Sequence, residues 1–222
     1  MSAMKEAYHD VMEIARRGMQ NKIKTIENEI TEEIELKFMI SAFKVVPQFN
    51  VSDNLIKPIS DLTKYFLGIE GNLSLNKGLY LYGDYGVGKS TLMIIFRQFL
   101  ASNWIGSGNG FTVTSIEDII RHYKTEGNLD KYVDNPDDPY RPGARHLLIN
   151  EYGGLLKDKV YGVDSQQIID SLIKIRYDLF QCEHKLTHIT SNYPPISDND
   201  AINDRLIEMF NIVQIKGKSL RK

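Results

Sequence analysis

Apolar residues along this chain change their spacing near residue 47. Before it they recur at steps of three and four. Ile23, Ile26, Ile30 and Ile34 form one stripe with Lys, Glu and Asn between them, which predicts an amphipathic helix. Met4, Tyr8, Val11, Met12, Ile14 and Ala15 predict an earlier helix ending near Gly18, and Phe38, Met39, Ile40, Ala42 and Phe43 make a more apolar end before Pro47. After about residue 51, short β-prone runs alternate with helix-length stretches, the signature of a parallel sheet with right-handed crossovers. A helical stretch over 61–67 ends at Gly68, and a strand over 79–82 leads into a helix running to about 103. Strands are predicted over 111–114, 146–149, 186–189 and 212–215, with helices over 164–180 and 198–209. Ser115 is placed to cap the helix after the second strand, with Asp118 at the position that reaches back. The Pro- and Asp-rich stretch 134–143 is a loop, and no internal repeat or low-complexity tract occurs.

Chemistry enters between the first strand and its helix. Gly83, Asp84, Tyr85, Gly86, Val87, Gly88, Lys89, Ser90 and Thr91 form a complete Walker A loop, G-x-x-x-x-G-K-[ST]. Glycines let successive backbone N–H groups turn inward on phosphate oxygens, and the helix N-terminus adds its positive dipole end. Lys89 can reach β- and γ-phosphates, and the Ser90 hydroxyl can sit on Mg²⁺. The strand–loop–helix context makes a chance Gly-rich turn the weaker explanation.

Composition narrows the class without naming a reaction. With 222 residues, 42% hydrophobic and 25% charged, the chain suits one α/β domain plus a small appendage. A net charge of −2 gives no global attraction to nucleic acid, so any such contact must be a local patch. Cys182 stands alone, which excludes an internal disulfide, fits a reducing cytoplasm, and suggests a buried or half-buried filler. No apolar stretch approaches the roughly 18 residues of a membrane span, and residues 1–10 lack a signal-peptide core. The five histidines show no zinc-ligand spacing.

A second strand should bring acids to the metal shell. Leu147-Leu148-Ile149-Asn150-Glu151 suits Walker B: Glu151 stands where a water-activating glutamate belongs, and Asn150 where an aspartate is expected. An amide can bond a metal-bound water but adds no negative charge beside a dication, so turnover should be slowed. The fourth strand ends Thr187-His188-Ile189-Thr190-Ser191-Asn192; Asn192 or Thr190 could touch the γ-phosphate or orient water, and Asn192 is preferred. Downstream, Arg205 on a helix and Arg221 near the terminus offer guanidinium forks suited to phosphate.

From about residue 50 onward, GDYGVGKST, LLINEYG, THITSN, NDRL and GKSLR occur in the order that resembles the AAA+ ATPases of the DnaC/DnaI helicase-loader and IstB-like group. The resemblance implies a P-loop NTPase three-layer sandwich with a five-stranded parallel sheet, order 5-1-4-3-2, and no full helical lid. It divides the chain into a helical, partner-docking region, 1–46, and an AAA+ domain, 47–222. It implies ATP and Mg²⁺ as cofactors and casts Asn192 as sensor 1, Arg205 as an arginine finger acting on a neighbour's ATP, and Arg221 as the sensor 2 arginine. ATP-dependent homo-oligomers, a replicative hexameric helicase and single-stranded DNA are the implied partners.

DNA contact is less visible in the residues themselves. Arg121-His122-Tyr123-Lys124 and the basic end Lys216, Lys218, Arg221 and Lys222 are candidates, through backbone charge and stacking on Tyr123. Three alternatives stay open: an IstB-like transposition ATPase assembling on duplex DNA with a transposase, a nucleotide-gated binding module with little turnover, and a small-molecule P-loop kinase. The kinase is disfavoured because loop 134–145 offers only Arg141 and Arg145 for a lid. No guanine-reading N-K-x-D motif is present, which favours ATP.

Overall fold

A computed structural model describes residues 31–103, 110–134, 143–153, 159–160, 163–196, 199–217 and 219. The expected helices over 4–18 and 23–30, most of the 134–143 loop, Arg141, Lys218, Arg221 and Lys222 lie outside the described residues.

Helix α1 (Glu32–Val45) opens the fold. Thr31 caps it by accepting from the Ile34 amide, and Glu32, Glu33 and Glu35 in the first turn with Lys44 in the last complement the dipole. Its fourfold stripe Ile34, Phe38 and Ala42 is buried, and the Phe38 ring lies 5.1 Å from Phe96 and 6.2 Å from Phe99. Leu36, Ile40 and Phe43 on the other side remain exposed.

Helix α2 (Asp53–Leu67) begins two turns earlier than expected because it continues through Pro58. Proline forfeits a backbone bond there, but Leu55, Leu62 and Phe66 are each almost wholly buried, and that apolar burial outweighs the lost bond. Gly68 ends the helix in the left-handed region, as its position after the apolar run suggested.

The sheet is built from β1 (Gly78–Tyr82), β2 (Phe111–Ser115), β3 (His146–Tyr152), β6 (Thr187–Ser191) and β7 (Phe210–Gln214). All pairings in it are parallel and the order is β2-β3-β6-β1-β7, the expected 5-1-4-3-2 arrangement of the five strands read from the other edge. Alternation puts Leu79, Leu81 and Leu148 on one face with α1, α2 and α3 (Lys89–Asn103). Tyr80, Leu147 and Ile149 face the opposite layer of α4 (Ile116–Glu126), α5 (Asp130–Val133), α6 (Ser165–Glu183) and α7 (Asp200–Met209). Ser115 caps α4 by accepting from the Asp118 amide, as expected, while the Asp118 carboxylate pairs with Arg121. A short antiparallel strand pair, β4 (Lys159–Val160) with β5 (Val163–Asp164), precedes α6 and was not expected.

Two buried cationic-type side chains join the layers. Arg176 on α6 is fully buried and donates to Thr187 Oγ1 (2.9 Å), Leu186 O (3.0 Å) and Tyr132 O (3.3 Å). Burial draws its guanidinium down to about 10, so it stays charged at neutral pH. His188 on β6 accepts the Leu79 amide at Nδ1 (3.2 Å), which requires a neutral ring. Burial, then His146 and Arg176, hold it down to about 3.

Cys182 is exposed, not a filler. The buried stripe of α6 runs Ser165, Ile168, Ile169, Leu172, Ile173, Arg176, and position 182 falls off that face. Among the described residues no helix is long and apolar enough to cross a membrane.

Candidate functional site

A cavity of about 840 Å³ opens where β1, β3 and β6 end. Its walls include Lys89, Ser90, Glu151, Thr190 and Asn192, and also Val46, Gln48, Phe49, Asn50 and Leu55; Asn150 is not among them. Open parallel sheets place ligands at this C-terminal edge because loops and helix N-termini converge there.

The Walker A loop is shaped by close packing beneath it. The Ile215 amide donates to Tyr82 O (2.7 Å), drawing the chain after β7 so near that any Cβ on Gly83 would collide with the Ile215 carbonyl. Gly88 has φ +94°, a conformation costly for other residues, and delivers the chain into α3 at Lys89. Val87 is buried with Leu55 and Ile215 and anchors the loop from below. Asp84 and Tyr85 stay exposed at its crest.

Lys89 is buried, with its ammonium bonded to Gly83 O (2.8 Å), Asp84 O (2.8 Å) and Asn192 Oδ1 (2.9 Å). Three oxygen acceptors match the three N–H donors of an ammonium and keep it at the α3 N-terminus. Lys89 and Asn192, separated by 103 positions, thus meet as expected of residues sharing one site.

Ser90, Asn150, Glu151 and Thr190 also converge. Thr190 Oγ1 lies 3.2 Å from Ser90 Oγ, donates to Asn150 Oδ1 (3.0 Å) and accepts the Glu151 amide (3.2 Å). Strand β3 bulges here: its pairing with β6 shifts between Ile149 and Tyr152, and Glu151 has φ +60°. A non-glycine residue in that region carries strain on the order of 1–3 kcal/mol, a state that clusters at functional sites. The bulge turns the Glu151 side chain out of the sheet and leaves it exposed on the cavity wall.

Tyr85 and Tyr193 are exposed, and the neighbouring Tyr85 hydroxyl raises the Tyr193 phenol. The Tyr193 amide donates to Ser191 Oγ (2.9 Å), and its carbonyl accepts from the Tyr80 hydroxyl (3.3 Å).

Arg205 is not among the cavity residues. It lies on α7, donates to Ala201 O (2.8 Å), and stacks 5.2 Å over the Tyr177 ring. Arg221 lies outside the described residues. On α4, Arg121 and Lys124 are exposed, whereas Tyr123 packs part of its ring on the core and is poorly placed to stack a base.

A magnesium site can be judged from its donors. Ser90, Asn150 and Glu151 offer hard oxygen but a single carboxylate, and no cluster of three His, Cys, Asp or Glu exists among the described residues. Such a set does not hold a dication by itself; it fits Mg²⁺ arriving on phosphate oxygens with most of its waters. Sequence reasoning missed the Val46–Leu55 wall, which no local motif marks, and the junction role of Thr190.

No protein-family model matches the sequence, and no curated protein matches it. Solved structures do. The chain is similar to the crystal structure of DnaI with TM-score 0.55 and 18% identity, over 81% of this chain and 93% of that one. It is similar to the DnaC helicase loader with TM-score 0.50 and 19% identity, over 78% of this chain and 96% of that one. Replication initiator DnaA bound to AMPPCP and single-stranded DNA matches with TM-score 0.52 and 17% identity, over 78% of this chain and 49% of that one. Identity at this level speaks for architecture: the chain has the P-loop AAA+ α/β fold, and it resembles the DnaI and DnaC helicase loaders.

Proposed function

We propose that this chain is an ATP-binding AAA+ protein of DNA replication, a slow ATPase that acts as a loader of a replicative hexameric helicase. One observation carries the nucleotide reading: Lys89 is held between the loop carbonyls and Asn192 beside the linked hydroxyls of Ser90 and Thr190. A triphosphate entering this corner meets an ammonium, a helix N-terminus and turned-in amides together. The apolar wall of Val46, Phe49 and Leu55 receives the base. Mg²⁺, when bound with the nucleotide, neutralises charge on the phosphates. Ser90 would hold that ion, with Asn150, which lies behind Thr190 rather than on the cavity wall, bonding through its shell. Glu151 takes a proton from the attacking water, and Asn192 orients the γ-phosphate.

In this reading residues 1–46 hold the helicase and 47–222 form the ATPase unit. The exposed ridge Leu36, Ile40 and Phe43 supports a docking role for α1. Arg205 acts on a neighbour's ATP in an ATP-dependent homo-oligomer, and Arg221 acts on phosphate in its own subunit. Single-stranded DNA meets Arg121 and Lys124.

Calorimetry with ATP and magnesium tests the first step. Heat that disappears with Lys89→Ala is expected; no heat for the wild-type chain ends the proposal. Capture of a hexameric helicase distinguishes the loader from an IstB-like ATPase, which would instead assemble on duplex DNA with ATP. Asn150 favours a second reading, a nucleotide-gated switch that binds without useful turnover. A rate with single-stranded DNA no higher than the uncatalysed background selects the switch.

A further inference from the structure

We propose that Thr190 is the positioning residue that sets the proton direction at the magnesium corner and fixes Asn150 and Glu151 against the Walker A serine. This rests on the reading of the loop as an ATP site.

The hydroxyl of Thr190 has one proton and two acceptor lone pairs. Its proton goes to Asn150 Oδ1 at 3.0 Å, and one lone pair takes the Glu151 amide at 3.2 Å. The third contact, 3.2 Å to Ser90 Oγ, must then be a bond in which Ser90 donates. Ser90 therefore spends its proton inward and turns its lone pairs to the cavity, as a metal ligand must. Without Thr190 that serine proton is free to rotate toward the cavity and oppose a cation.

The same hydroxyl satisfies the Glu151 amide, which the β3 bulge removes from the ladder. Thr190 is only 1% exposed, so water cannot replace it cheaply. Ser90, Asn150 and Glu151 thus depend on one hydroxyl.

Full-length wild type, Thr190→Val and Thr190→Ser are titrated with a fluorescent ATP analogue, once with magnesium and once with EDTA. Thr190→Val, close in shape but without the hydroxyl, is expected to keep its metal-free affinity within about twofold. Its magnesium-dependent gain in affinity is expected to fall by about tenfold or more. Thr190→Ser is expected to restore that gain. Equal gains in wild type and Thr190→Val, or Thr190→Ser as impaired as Thr190→Val, overturn the proposal while leaving the nucleotide reading intact. A wild type that binds no nucleotide removes the reading and this inference with it. Should Thr190→Val not fold, amide exchange in the wild type decides: slow exchange at Glu151 supports the bond, and exchange as fast as at surface amides overturns it.

Discussion

Lys89 Nζ and Asn192 Oδ1 are 2.9 Å apart, so the first cation of α3 and the residue just past β6 are joined directly. A γ-phosphate reaching Lys89 must share or displace that bond. Under the proposed ATP reading, a bound phosphate would be felt at the end of β6, whose next residue but one, Tyr193, accepts from the Tyr80 hydroxyl of β1.

Asn192→Ala breaks this link and leaves the two carbonyl bonds of Lys89. ATP affinity should change by less than about threefold, whereas any turnover should drop by roughly 10²-fold or more, the loss seen when one preorganised polar group is removed. Matched binding titrations and single-turnover assays measure both. A large affinity loss without a turnover loss would reassign Asn192 to ground-state binding.

Asn150→Asp adds a carboxylate where the Thr190 proton already points. The expected result is about a tenfold lower magnesium requirement for ATP binding and faster hydrolysis, because a negative charge now faces the dication. Magnesium titrations at fixed ATP provide the measurement; an unchanged requirement would mean that position 150 lies outside the metal's reach.

Arg176→Met should destabilise the fold by about 2–4 kcal/mol, since Thr187 Oγ1, Leu186 O and Tyr132 O lose a buried charged donor together. Arg205→Ala, which removes a partly exposed stack on Tyr177, should cost no more than about 1 kcal/mol. Urea unfolding separates the two, and similar midpoints for both variants would contradict the assignment of Arg176 as the bond between layers.

The buried imidazole of His188 predicts a specific acid limb. Unfolded histidine protonates near 6.5, but the native ring resists until about 3, so between these values the unfolded chain binds the extra proton. The contribution of His188 is fully present above about 6.5 and is lost as pH falls, by up to about 1.4 kcal/mol per unit. His188→Asn offers an acceptor to the Leu79 amide without titrating in this range. Its stability should decline less steeply from pH 6.5 to 4 than that of the wild type, and parallel slopes would refute the assignment.

What the sequence disclosed was what local chemistry encodes. The Walker A loop, its strand and its helix are contiguous, and Ser115 announces α4 by a cap that reads only three residues ahead. Pro58 hid the first turns of α2, because a local rule against proline was overruled by burial of Leu55 and Leu62. The Asn150–Glu151 strand end was visible, but its bulge was not, since the left-handed Glu151 is held by Thr190 from another strand. No local pattern marks Arg176, because its acceptors Tyr132 O and Leu186 O come from other segments of the chain.

Helix α1 ends at Val45, and the next residue already forms cavity wall, followed by Gln48, Phe49 and Asn50. Its inner side is riveted to Phe96 and Phe99 on the helix that starts at Lys89. Under the proposed loader reading, a cargo on the outer ridge would pull both on the Val46–Asn50 segment and, through Phe96 and Phe99, on the helix that begins at Lys89. Filling or emptying that chamber would alter the grip without any need for a separate lever.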